Sequence, residues 1–280
     1  MEFLNKSFTE LGQRALLKTF ELYHHLEESG KESVKKNRFG DTTLRMDINA
    51  EEEVLKFLKE ENVPVRVISE EHGTTNIGEN PKFLAVMDGL DGSSNYKESK
   101  ERGRYGTMLG FFSNINPNYE DYIFSGIMEH ATGKMFFASK GEGSFVAQKD
   151  KIIPIRTSEV KDLDKKTRIF IDEYWEFNKK KFSQKLQGFN TNYLGASCAY
   201  YIDLACGKAD LVLECTRKGN LEVAISYGLE REAGAVIVDS EGKDLGKRKY
   251  LEFGQQESLP VISGATLDLT KRLIEHLNRI

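Results

Sequence analysis

Between residues 106 and 146 the chain reads as four short apolar runs, TMLGFF, YIFSGIME, KMFFAS and GSFVAQ, separated by Asn, Pro and Gly. Runs of this length bounded by turn formers are strands. Joined by such short connections, they pair as an antiparallel meander. A sheet of that kind needs cover, and the flanking segments supply it. Phe8, Leu11, Ala15, Leu22 and Leu26 fall on one helical stripe that Gly30 ends, and residues 267–278 form a terminal amphipathic helix. Residues 50–59 form a short helix with Val54, Leu55 and Leu58 inward. Before it, residues 31–43 are rich in Lys, contain Gly40 and carry little apolar content, so they read as a mobile loop.

Beyond residue 150 strands and helices mix. Strands are expected at 168–171, 209–214, 235–238 and 259–263, and helices at 175–186, 195–207 and 222–234. With no repeat and no Pro/Ser-rich linker, a soft boundary near residue 150 separates halves 1–150 and 151–280 that pack as one unit. The 40 Lys+Arg against 44 Asp+Glu give a net charge of -4, which weighs against a general nucleic-acid binder. The N-terminus has no long apolar run, so neither a signal peptide nor a membrane span is expected there. Cys198, Cys206 and Cys215 are an odd number with no CxxC pair, which argues against a disulfide framework or structural zinc and makes the cytoplasm the expected location. His24-His25 reads as a surface or packed pair, and Trp175 as a packing residue.

The chemistry sits where apolar strands run into acids. Residues 65–68 lead into Ser69-Glu70-Glu71-His72-Gly73, and residues 83–87 into Asp88-Gly89-Leu90-Asp91-Gly92-Ser93-Ser94-Asn95. Strand ends open into crevices where ligands bind. Carboxylates gathered there repel one another unless cations lie between them, and hard divalent ions such as Mg²⁺ prefer such oxygens. Asp88 and Asp91 are three apart around a Gly turn, so both can address one site with the Leu90 carbonyl. Gly92, Ser93 and Ser94 follow with small side chains, hydroxyls and backbone N–H groups at a helix start, a natural anion site. Carboxylates with a metal on one side and a phosphate cradle on the other point to metal-assisted phosphate-ester hydrolysis. Taken singly, the acid pair is unremarkable, and the Asp-Gly turn also fits a calcium-type loop or a plain surface turn.

In order along the chain, these residues resemble a known family. MDGLDGSSN (87–95) is similar to the DPxDGTxN pattern of the inositol monophosphatase/fructose-1,6-bisphosphatase superfamily. GDTTLRMD (40–47), ISEEHG (68–73), LGASCAYYIDLACGKADLVLE (194–214) and LEVAISYGLEREAGAVI (221–237) resemble the rest of its pattern, closest to the archaeal-type members. The resemblance implies an α+β fold, the layered α-β-α-β-α sandwich. It implies that Glu70 and Asp88 hold one metal with the Leu90 carbonyl, that Asp88, Asp91 and Glu222 hold a second, and that Asp41 with Glu70 holds a weaker third. Asp47 and Ser93 match the pair that orients the attacking water, Glu70 being counted with them as catalytic. Gly92, Ser93 and Ser94 match the phosphate cradle. Gly195, Ala196 and Ser197 match the sugar- or inositol-binding stretch, and Glu214 and Arg217 are placed at that pocket, an ordinary solvated turn being the alternative for Arg217. Glu71 is open between a functional residue and one pointing to solvent. The Lys-rich stretch around Lys35, Lys36 and Arg38 is open between a merely solvated loop and a basic lid that helps recruit phosphate. Departures are Gly89 for the family's Pro, Ser93 for Thr, and Leu221-Glu222 for Trp-Asp.

The resemblance also implies two or three Mg²⁺ ions, with Mn²⁺ as a substitute and lithium as an inhibitor, and a homodimer acting on inositol monophosphate, fructose 1,6-bisphosphate or both. Neither a nucleic acid nor a membrane is expected as partner. The alternatives are an adenosine 3′,5′-bisphosphate phosphatase of the same superfamily and a non-catalytic member that binds metal or ligand.

Overall fold

The computed structural model describes residues 2–37, 39–98 and 103–279. The meander is present with nearly the expected limits: β6 is Gly106–Phe112, β7 Tyr122–Glu129, β8 Lys134–Ser139 and β9 Gly143–Gln148. It forms the middle of an eight-stranded sheet ordered β10-β9-β8-β7-β6-β5-β3-β4, where β3 is Val65–Ser69, β4 Gly73–Ile77, β5 Phe83–Asp91 and β10 Lys151–Ile155. Only β3 and β5 pair in parallel; the other neighbours are antiparallel. A five-stranded sheet follows, ordered β12-β11-β13-β15-β14, from β11 Arg168–Ile171, β12 Asn190–Asn192, β13 Leu211–Cys215, β14 Val236–Asp239 and β15 Pro260–Gly264.

Helices cover and separate the sheets. α1 (Glu2–Leu26) and α2 (Arg45–Glu60) pack on one face of the large sheet, and α5 (Ser197–Ala205) and α6 (Leu221–Ala233) fill the space between the sheets. α7 (Leu267–Arg279) packs on the small sheet. The order is the α-β-α-β-α sandwich. Strand alternation explains it. On β5, Leu84 and Val86 face the core shared with α5 and α6, while Ala85 and Met87 face the core shared with α1 and α2. A strand buried on both faces reads as an unbroken apolar run, and successive side chains divide between two cores.

Several elements differ from the sequence expectation. Residues 31–43 are no loose loop: β1 (Ser33–Lys36) pairs antiparallel with β2 (Thr42–Leu44). β1 is exposed along its length, so its pairing leaves no apolar signature. α2 starts at Arg45, five residues earlier than expected, because the Asp47 carboxylate accepts the Leu44 N–H and stabilises the first turn. The expected helix at 175–186 is only α4 (Glu176–Asn178) followed by a π-type turn, Lys179–Ser183; Phe182 and Leu186 are still buried. β4, β10 and β12 carry polar or exposed residues that periodicity does not mark. β10 ends at Ile155, so the first sheet runs slightly past residue 150.

Candidate functional site

The last residues of β5 hold the first part of the site. The ladder to β6 shifts register between Asp88 and Asp91, and this irregularity turns both carboxylates to one side. Asp88 Oδ1 accepts the Leu90 N–H at 2.9 Å, fixing the turn. Asp91 Oδ2 accepts the Cys198 N–H at 2.7 Å, in the first turn of α5. Glu222 stands in the first turn of α6. Asp88, Asp91 and Glu222 are buried, and they present oxygens within 4.8 Å of one another. Burial and the charge of Glu222 raise the pKa of Asp91, against the Cys198 N–H. Three buried carboxylates whose oxygens lie this close could hold a hard divalent cation.

Glu70 and Asp41 are outside that group of three. Asn37, just past β1, donates its side-chain N–H to Glu70 at 2.7 Å and to Glu71 at 3.3 Å, while its own Oδ1 accepts the Asp41 N–H at 3.0 Å. One amide thus ties Asp41 to the Glu pair. Glu71 does not point to solvent: its side chain is 3% exposed, accepts the Thr43 hydroxyl at 2.8 Å and lies 3.6 Å from Lys35 Nζ. The basic hairpin is docked on the acids through Lys35, Lys36 is exposed, and Arg38 is outside the described residues.

Asp47 joins the two regions. Its Oδ1 accepts the Ser93 hydroxyl at 3.1 Å, and the same hydroxyl is 3.0 Å from the Leu90 carbonyl. Burial, with the charges of Glu70 and Glu71, holds the Asp47 pKa well above the usual carboxylate range. Gly92 has φ +82, and a Cβ there would meet Ala196 Cβ and the Arg104 carbonyl at 2.8 Å. Ser94 is exposed at the start of α3 (Ser93–Glu98). Asn95 donates to the Leu194 carbonyl at 2.8 Å, holding the 194–197 stretch beside the Gly92 turn.

On the far side Arg217 is no solvated turn residue. It lies 3.3 Å from Glu222, 3.4 Å from Asp172 and 3.6 Å from Glu214, and donates to Ser197 Oγ at 3.0 Å. Its guanidinium is 5.7 Å from the centre of the Trp175 ring. Ala196, Ser197 and Glu214 are buried here, Glu214 accepting the Tyr201 hydroxyl. Burial raises the Glu214 pKa, with Arg217 opposing. Gly195 takes φ +72, the left-handed turn that admits glycine readily. Two residues packed around the site lie beyond the sequence reading: Asp172 beside Arg217, and Glu51, which accepts the Glu71 N–H. Asp172 directly follows a strand, the same signal that marks Glu70 and Asp88. Glu51, four residues after Asp47 on α2, becomes legible only once the helix is known to start at Arg45.

The inositol monophosphatase family model matches residues 2–279. The chain belongs to the inositol monophosphatase family, and it is a phosphatase of that family, a phosphoric monoester hydrolase. Its relatives include a Methanothermobacter thermautotrophicus fructose-1,6-bisphosphatase/inositol-1-monophosphatase, 25% identical over 90% of this chain and 89% of the relative. A Methanocaldococcus jannaschii bifunctional NADP phosphatase/NAD kinase is 26% identical over 80% of this chain, which spans only 43% of that protein's length. Among solved structures, the Thermotoga maritima inositol monophosphatase superposes with a TM-score of 0.75 at 18% identity, over 100% of this chain and 98% of the other, a likeness of fold. Among the described residues, no helix of this family member is long and apolar enough to cross a membrane.

Proposed function

We propose that the chain hydrolyses the monoester of a small sugar or polyol phosphate, inositol monophosphate, fructose 1,6-bisphosphate or both, with Mg²⁺ or Mn²⁺ as cofactor. The observation that carries this is the buried trio Asp88, Asp91 and Glu222, beside the Asp47–Ser93 pair. In this reading Glu70, Asp88 and the Leu90 carbonyl hold one cation, Asp88, Asp91 and Glu222 a second, and Asp41 with Glu70 a third. The cations would supply positive charge to the phosphate and to the departing alkoxide. Asp47, through the Ser93 hydroxyl, orients the attacking water and receives its proton. Gly92, Ser93 and Ser94 receive the phosphate oxygens on their backbone N–H groups, with the Ser94 hydroxyl as a further donor. Gly195, Ala196, Ser197, Glu214 and Arg217 face the alcohol part of the substrate. Arg217, already shared among three carboxylates, gives that pocket one cation for a second anionic group on the substrate.

A nucleotide phosphate is the second reading. Tyr174 and Tyr193 are exposed aromatic rings on the Arg217 side, and Tyr174 packs edge-on against Trp175 at 5.1 Å. Such rings stack on bases and on sugar faces alike, and one relative is named an NADP phosphatase. We also propose that the halves 1–150 and 151–280 act as one unit, in a cytoplasmic homodimer. The test is phosphate release from inositol 1-phosphate, fructose 1,6-bisphosphate, adenosine 3′,5′-bisphosphate and NADP, with Mg²⁺ and with chelator. Metal-dependent release from the first two, suppressed by lithium, supports the leading reading. Preference for the last two moves it to nucleotides, and no release from any of the four overturns it.

A further inference from the structure

Glu51 lies on α2 one helical turn after Asp47, so the two share a face. It is fully buried, yet it takes no part in the proposed chemistry. Its carboxylate accepts the Glu71 N–H at 3.0 and 3.2 Å and the His72 N–H at 3.1 Å, and its Oε2 lies 2.7 Å from His72 Nδ1. These donors belong to the turn that joins β3 to β4, where the ladder closes on Ser69 opposite Gly73. A tight turn inside the protein leaves N–H groups that need acceptors, and a charged acceptor makes the stronger bond.

The same side chain borders the other acid-bearing segment. A Cβ on Gly89 would lie 3.0 Å from Glu51 Cγ and 2.2 Å from the Asp47 carbonyl. Glu51 is therefore wedged between the Glu70–Glu71 turn, which it grips by hydrogen bonds, and the Asp88–Asp91 segment, against which its methylenes rest. We propose that Glu51 is a positioning residue that sets the separation of Glu70 from Asp88, and so the affinity of the cation these two would share. It touches neither substrate nor cation. This rests on the reading above that Glu70 and Asp88 are ligands.

The test is calorimetric Mn²⁺ binding to the wild type, Glu51→Gln and Glu51→Ala, with Glu53→Ala on the same helix as control. Removing partners that orient metal ligands typically weakens binding by about 10–100-fold. Glu51→Ala is expected in that range, and Glu51→Gln, which keeps one acceptor oxygen, between it and the wild type. The metal concentration for half-maximal activity should rise in step, while kcat at saturating metal recovers. A residue that served stability alone would lower the melting temperature and leave the affinity of the folded protein unchanged. Amide exchange in the unaltered protein adds a readout that no misfolded variant can obscure: the Glu71 and His72 N–H groups should be protected. Fast exchange there, or affinity within twofold of wild type in both variants, overturns the inference alone. A wild type that binds no Mn²⁺ overturns the reading of the site and this inference with it.

Discussion

Gly89 stands where the family pattern has proline, and α2 explains the exchange. The backbone of Asp47 approaches so closely that a Cβ at residue 89 would sit 2.2 Å from its carbonyl oxygen. Overpacking against backbone costs about 1–3 kcal/mol. Gly89→Ala should therefore lower the melting temperature and, by displacing Asp47 from Ser93, lower kcat; Gly89→Pro, although it restores the family residue, should do more harm. Normal melting and turnover in Gly89→Ala would show that α2 can move aside. Glu230 offers a second test at this scale. It is buried on α6, and burial pushes its pKa up to about 8 against hydrogen bonds from Ser263 and Ser226. Tyr201 and Tyr227 stand near it, both with pKa values raised by burial. The folded state thus keeps a proton that the unfolded chain releases in the ordinary carboxylate range. Stability from this group is full at low pH and falls as pH rises through that window to about 8. Glu230→Gln should remove the fall, so that its melting temperature relative to wild type is higher at pH 9 than at pH 5. Parallel pH profiles would refute the assignment.

Among the elements, α6 is central. It packs on β5 to β9 on one side and on β14 on the other, and it brings Glu222 to the site. Its close seat depends on Gly228, where a Cβ would lie 2.3 Å from Ser125 Oγ and 2.6 Å from the Tyr122 ring, both on β7. Alanine is the better helix former by about 1 kcal/mol, but the overlap with β7 outweighs that gain. Gly228→Ala should destabilise by about 1–3 kcal/mol in denaturant unfolding; a stabilised variant would mean that the helix is not so tightly seated. The hairpin β1–β2 makes the opposite point. Its strand β1 is exposed along its length, and the hairpin is tied down by Lys35 and Thr43 on Glu71 and by Asn37 on Glu70. Its order depends on the acids it covers, so an apolar pattern could not reveal it.

At the scale of the whole molecule the site is a joint between two sheets. Asp88 and Asp91 end a strand of the large sheet, while Glu222 and the Cys198 N–H that holds Asp91 begin helices lying between the sheets. A cation bound there would tie the layers together, and ligand at 100 times its Kd adds about 2.7 kcal/mol of stability. Mg²⁺ or Mn²⁺ should raise the melting temperature of one cooperative transition. A shift confined to one of two separate transitions, or no shift, would contradict the joint. Much of this architecture is legible in the sequence, because β5 to β8 are buried on both faces and burial is what an apolar run records. The carboxylates at strand ends are legible for a related reason: a polar residue that interrupts such a run has to be placed where the strand opens. β1, β4, β10 and β12 lack that burial and leave no such record. By itself, then, the sequence determined the buried strands, the acids that end β3 and β5, and the family to which they point. Only the tertiary structure decided which distant groups meet: Arg217 with Asp172, Glu71 with the hairpin, and Glu51 with both acid-bearing segments. The physical reason is range. Periodicity and turn chemistry act between neighbours along the chain, whereas a charge or a hydrogen bond is satisfied by whatever the packed layers bring within about 3 Å.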